Sequence, residues 1–93
     1  MNSFNIATFA GDGIGLEITL PCIRVIEAAA ARMRKSAYEF DISFTHLPGG
    51  AGCYRETGTA LPEASIATAK SADAILLAAM GLPDVRYPDG TEI

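Results

Sequence analysis

The hydrophobic positions of this chain fall into segments of different period, and each period predicts an element. Residues 4–10 form a short apolar segment of strand type that breaks at Gly11-Asp12-Gly13-Ile14-Gly15, three glycines in five residues. A strand, a glycine turn and then a helical pattern make the opening of a βα unit. Beyond the turn, Ile14, Ile18, Cys22, Val25, Ile26, Ala29 and Met33 recur at steps of three and four, with one step of one. They draw one apolar stripe on a helix predicted over residues 16–35. Arg32, Arg34 and Lys35 gather at its end, where cations complement the helix dipole. Pro21 removes one backbone donor and predicts a kink or a delayed start.

The period then changes to two. Phe40, Ile42, Phe44 and His46 alternate with Asp41, Ser43 and Thr45, which predicts a strand over residues 38–47 with one packed face. A loop carrying Gly49, Gly50, Gly52 and Gly58 follows. Pro62 suits the first turn of a second helix, Glu63 adds favourable charge there, and the pattern runs to about Ser71. Residues 74–78 are a continuous apolar run, as a parallel strand covered on both faces requires. The tail from Gly81 to Ile93 holds Pro83, Pro88 and Gly90 and reads as loop.

The order is therefore β-α-β-α-β. Right-handed crossovers make the sheet parallel, with the first strand between the other two. Two helices cannot cover both faces of three strands, so the unit reads as an incomplete doubly wound domain. It is expected to leave apolar surface bare and to be poorly stable by itself.

Ninety-three residues allow one small domain, and 49% apolar with 19% charged residues describe a globular chain. The net charge of −4, without a basic cluster, lacks the footprint that nucleic-acid binding needs. The longest nearly unbroken apolar run, residues 74–82, is far short of the ~20 residues of a membrane span. The first five residues carry no basic n-region, so no signal peptide is expected and the location reads as cytoplasmic. Cys22 and Cys53, the two cysteines, suggest neither a disulfide framework nor zinc and read as small buried hydrophobes.

The glycine turn invites a dinucleotide-binding reading but fails the G-x-G-x-x-G fingerprint. Leu16 or Ile18 stands where the last glycine is required, and no acid follows at the end of the second strand. Amides at a helix start can still face an anion, so a structural turn and a ligand-facing loop both stay open. Asp12 reads first as a turn former and second as a site neighbour. His46 reads as a satisfied structural histidine, and Asp84, Asp89 and Glu92 as solvated turn residues. Spacing and composition identify no reaction.

Four segments in order resemble the isocitrate/isopropylmalate dehydrogenase family, the β-decarboxylating dehydrogenases that include tartrate dehydrogenase. They are Ile6-Ala7 through Gly11-Asp12-Gly13-Ile14-Gly15-Leu16-Glu17, then Gly49-Gly50-Ala51, then Thr57 through Glu63, then Lys70 through Leu77. Ala79-Met80-Gly81-Leu82-Pro83 resembles the loop after the family's third strand, and residues 81–85 lean toward the tartrate branch. Leu16, where the family has proline, and Ala78, where it has glycine, depart from the pattern. The resemblance implies that residues 1–93 are the N-terminal fragment of a dehydrogenase domain with an isopropylmalate-dehydrogenase-like fold. It implies an oxidoreductase that passes a hydride from a malate-like 2-hydroxy acid to NAD or NADP and then releases the β-carboxylate. It further implies Mg2+ or Mn2+, a homodimer as the complete enzyme, and no membrane partner. Asp12, Gly13, Ile14 and Gly15 would border the nicotinamide part of the cleft. The family's catalytic and metal residues would come after residue 93. A reading from another class is a free-standing, non-catalytic α/β binding or assembly module.

Overall fold

The computed structural model describes residues 2–36 and 39–93 of the chain. Six elements follow in order: β1 Asn2–Gly11, α1 Ile14–Lys35, β2 Phe40–His46, α2 Ala51–Thr57, α3 Glu63–Ser71 and β3 Ala74–Ala79. The three strands form one parallel sheet in the order β2-β1-β3, with Ile6 opposite Phe44 on one side and Ala74 on the other. This is the α/β unit with a central first strand that the periodicity predicts. Tyr38, which the alternation assigns to the second strand, lies outside the described residues.

The core is small and sits on one face of β1. Ala7 and Phe9 are buried against Ala69 of α3, with Leu47 and Ala72 packed around them. The opposite face, which presents Phe4, Phe40 and Ile42, lies under Ile26, Ala30 and Met33 of α1. One long helix thus covers one face and α3 covers part of the other. β3 is the third strand but not a covered one. It forms an edge of this sheet, and Ile75 and Leu77 are 55% and 59% exposed. The expectation of cover on both faces therefore fails within these residues, while the expected bare apolar surface is present.

Helix α1 departs most from the sequence pattern. Its buried positions are Gly15, Thr19, Ile23 and Ala30, whereas Ile14, Ile18, Val25 and Met33 of the drawn stripe are exposed. Only Ile26 of that stripe is half-buried. The reason is steric. A Cβ on Gly15 would land on the Ala10 carbonyl oxygen and come within 2.8 Å of the Ala79 carbonyl oxygen. Backbone approaches that close at position 15 set the helix rotation, and steps of four, four and seven then turn Thr19, Ile23 and Ala30 inward. The helix consequently carries a second apolar face outward. Cys22 is exposed and Cys53 half-buried, so neither is the buried hydrophobe expected.

Two boundaries also move. Helix α1 starts at Ile14 rather than 16, with Gly13 flanking it at φ 55°. Pro62 stands just before α3, at φ −60° and ψ 144°, instead of inside its first turn. Pro21 is accommodated within α1. The tail 81–93 is loop, closed by one antiparallel bridge between Arg86 and Glu92 and anchored by buried Val85.

The helix register gives a direct test. Ile23→Ala should cost about 2–4 kcal/mol, the loss expected for a buried aliphatic side chain. Val25→Ala should stay within about 0.5 kcal/mol, as at an exposed site. Urea midpoints of the two variants measure the difference, and equal costs would return the helix to the stripe drawn by the sequence.

Candidate functional site

The carboxyl ends of all three strands point to one side of the sheet, and the loops that leave them meet there. After β1 the chain turns into α1 on one face. After β2 it enters α2 and α3, which returns the chain on the other face to β3. Neighbouring strands whose connections part in opposite directions open a crevice at their carboxyl ends, the usual ligand position in open α/β sheets. β1 and its neighbour β2 form that pair. A groove of about 490 Å³ opens beside them, bounded among others by Asp12, Gly13, Leu16, Gly49, Cys53 and Leu82.

Asp12 holds the loops together. Its side chain is directed inward and the residue is 5% exposed. Oδ2 accepts the N–H of Ala51 at 2.6 Å and of Gly81 at 2.9 Å, and Oδ1 accepts the N–H of Gly52 at 2.8 Å. Its own N–H donates to the Ala79 carbonyl at 2.8 Å. One carboxylate therefore joins the turn after β1 to the start of α2 and to the loop after β3. Burial pushes the Asp12 carboxyl up, but the amides of Gly81, Gly52 and Ala51, with the Arg55 guanidinium nearby, outweigh it and hold the group below its ordinary value. The turn-former reading of Asp12 thus understates it, because its partners lie 39 to 69 residues away.

The same bonds explain α2, which the glycine count of residues 49–58 disguises as loop. A helix needs acceptors for its first amides. No local side chain caps α2. Asp12 caps it from across the fold, and a carboxylate at a helix start is also favoured by the dipole. Gly58, in the left-handed conformation at φ 83°, ends the helix. Gly50, at φ 111°, leaves room for the carboxylate, since a Cβ there would come within 2.5 Å of Asp12 Oδ2.

The other predicted residues of the turn behave differently. Gly15 and Leu16 donate their amides to the Asp12 and Gly13 carbonyls at 2.9 and 3.1 Å. Those two helix-start amides are therefore engaged within the turn, which weakens its reading as an anion cradle. Gly13 is exposed at φ 55° with open space where a Cβ would point, and Ile14 is 57% exposed. Of residues 12–15, Asp12 and Gly13 bound the groove, Gly15 is buried against the Ala10 and Ala79 backbone, and Ile14 is exposed next to the groove's lining without belonging to it. His46 stands apart, sharing a hydrogen bond between Nδ1 and the hydroxyl of buried Thr8 at 2.5 Å. Asp89 accepts from Thr91 in an exposed turn, in keeping with its solvated reading. Among the described residues no three His, Cys, Asp or Glu side chains converge on a metal-sized site, and no helix is long and apolar enough to cross a membrane.

Sequence reasoning found the turn but missed what it is tied to. Gly81, Gly52 and Ala51 act only through backbone amides, which leave no chemical signature in a sequence. The glycines at 49, 50 and 52 are the available signal, and although Gly49-Gly50-Ala51 belongs to the family resemblance, their spacing predicts only a loop.

Comparison with known proteins adds a family. The profile of the isocitrate/isopropylmalate dehydrogenases matches residues 5–92. A 3-isopropylmalate dehydrogenase of Streptococcus thermophilus is 47% identical over 79 residues, 84% of this chain and 21% of that protein. Those of Priestia megaterium and Mycobacterium bovis are 37% and 36% identical over 78 and 80 residues, which are 84% and 86% of this chain. The chain spans about one fifth of the length of these relatives.

Proposed function

Because this chain belongs to the isocitrate/isopropylmalate dehydrogenase family, we propose that it is the N-terminal segment of an NAD- or NADP-dependent dehydrogenase. In that reading its turn at residues 12–15 borders the nicotinamide half of the cofactor. The substrate is a malate-like 2-hydroxy acid, with 3-isopropylmalate first because the relatives are named for it. Isocitrate and tartrate follow, and loss of the β-carboxylate completes the reaction. The complete enzyme is a homodimer. The observation that carries the reading is the placement of the glycine turn where β1 and β2 part their connections, at the carboxyl edge of the sheet.

Hydride acceptance from the hydroxyl-bearing carbon is the chemistry a nicotinamide supplies. The fit is to its ring, not to its phosphates. The exposed backbone at Gly13 lets a flat group approach closely, Ile14 offers an apolar side chain, and two neighbouring amides are already engaged. This chain's contribution is to bind and orient, with Asp12 holding the turn in shape from behind. A divalent cation finds no ligand cluster among the described residues. Its ligands, like the acid–base groups, belong to other segments of the complete enzyme. The free-standing module is the weaker reading, since the relatives named above are dehydrogenases.

A graft tests this. Residues 5–92 replace the matching segment of the S. thermophilus 3-isopropylmalate dehydrogenase, and turnover is assayed with NAD and NADP in the presence of Mg2+ or Mn2+. The graft should be active, and the 93-residue chain by itself silent. Ile14→Asp in the graft should raise the dinucleotide KM about tenfold, the effect of removing an apolar contact and adding a charge worth roughly 1.4 kcal/mol together. An unchanged KM in a folded variant would discard the contact.

A further inference from the structure

The role of Asp12 can be taken one step beyond the cofactor reading on which it rests. We propose that Asp12 is a positioning residue for dinucleotide binding, acting through the backbone of three loops. Asp12 bounds the groove but is only 5% exposed, and both of its carboxylate oxygens are taken by backbone amides, so its carboxylate is not free to serve as a direct contact for the cofactor. What it supplies is geometry. The turn at 11–15 is held from one side by the Asp12 N–H on the Ala79 carbonyl and from the other by three amides on the carboxylate. Three donors on two oxygens need an acceptor-only group with several lone pairs, which a carboxylate provides and an amide does not. Asparagine would keep one carbonyl oxygen and turn an NH2 toward amide donors that must then lose a partner. Charge-assisted bonds of this kind are short and directional, and such shells hold a binding backbone within the fraction of an ångström that a tight contact requires.

The packing agrees with a clamp of fixed dimensions. A Cβ on Gly52 would stand 3.1 Å from Asp12 Oδ1, tighter than ordinary contact, and one on Gly50 would stand 2.5 Å from Oδ2. The carboxylate therefore fills the space between the turn and α2. Moving it moves the turn. The predicted signature is selective: the dinucleotide should bind more weakly while the 2-hydroxy acid, held elsewhere, is little affected.

The experiment uses the active graft described above. Asp12→Asn should raise the dinucleotide KM about tenfold or more, as for a misplaced binding group, while the KM for 3-isopropylmalate changes less than about twofold. Gly52→Ala keeps the charge and every donor and pushes on Oδ1 from the other side. It should raise the same KM about threefold and decides the matter if Asp12→Asn does not fold. Equal losses in both KM values, or an unchanged dinucleotide KM in Gly52→Ala and in folded Asp12→Asn, overturn the proposal. Ile14→Asp separates the two levels. If it raises the dinucleotide KM while the clamp variants do not, only the positioning role fails. If none of the three moves that KM, or the graft is inactive, the cofactor reading fails and this inference with it.

Discussion

Gly11→Ala should cost the chain about 3–5 kcal/mol and leave little folded protein at room temperature. Two penalties combine. Gly11 has φ 73°, where an L side chain is strained by about 1–2 kcal/mol. The added Cβ would also land on the Ala79 carbonyl oxygen, with the Ala79 carbonyl carbon at 2.9 Å. Gly11 is the register partner of Ala79, so the obstacle is paired backbone that cannot swing aside. Gly15→Ala should be comparably severe without any φ penalty, because the Ala10 carbonyl occupies the same place there. Gly13→Ala is the contrast. It shares a positive φ of 55° but meets open space, and should cost only about 1–2 kcal/mol. Circular dichroism at room temperature, which reads the folded fraction of each variant, ranks these outcomes. A Gly13 variant as damaged as the Gly11 one would show that strain, and not the close approach to β3, governs the turn.

Loss of the Asp12 carboxylate should be nearly as damaging and should change the response to acid. Asp12→Ala leaves three amides without their acceptor, at about 1–3 kcal/mol for the buried Ala51 donor and less for half-buried Gly52 and exposed Gly81, so a total of about 2–4 kcal/mol is expected. The pH dependence follows from the direction of the shift. Asp12 titrates below its ordinary value of 3.8 in the folded chain. Its stabilisation is therefore fully present above that value and lost as pH falls through 3.8 toward the lower folded pKa. Between about pH 5 and pH 3 the melting temperature of the wild type should fall more steeply than that of Asp12→Asn, which has no charge to lose. Asp89, also held low by Thr91, contributes in the same direction in both proteins, so the difference between them isolates Asp12. Parallel acid profiles would show that the clamp does not depend on the ionised carboxylate.

Apolar periodicity sufficed for the strands because each is local and its partner choice is narrow. A right-handed β-α-β-α-β chain has few ways to fold, and the order β2-β1-β3 follows from its connectivity. The resemblance of four ordered segments sufficed for the family, and the turn at residues 12–15 was visible as a break between two periods. The faces of α1 were not readable. Apolar residues occupy more of that helix than one stripe, and hydropathy favours the larger side chains at Ile14, Ile18 and Val25. Tertiary structure decided instead through the smallest residue, since Gly15 must lie against two carbonyls and the helix turns to allow it. Helix α2 and the role of Asp12 were hidden for a related reason. The cap of that helix lies 39 residues upstream, and the amides that grip the carboxylate at Ala51, Gly52 and Gly81 are backbone groups common to nearly every residue type. Period and motif are properties of neighbouring residues, so the sequence by itself determined the strands, helices α1 and α3, their order and the family. Which face of a helix is buried, and which loop a carboxylate holds, depend on contacts between distant segments that exist only once the chain has folded.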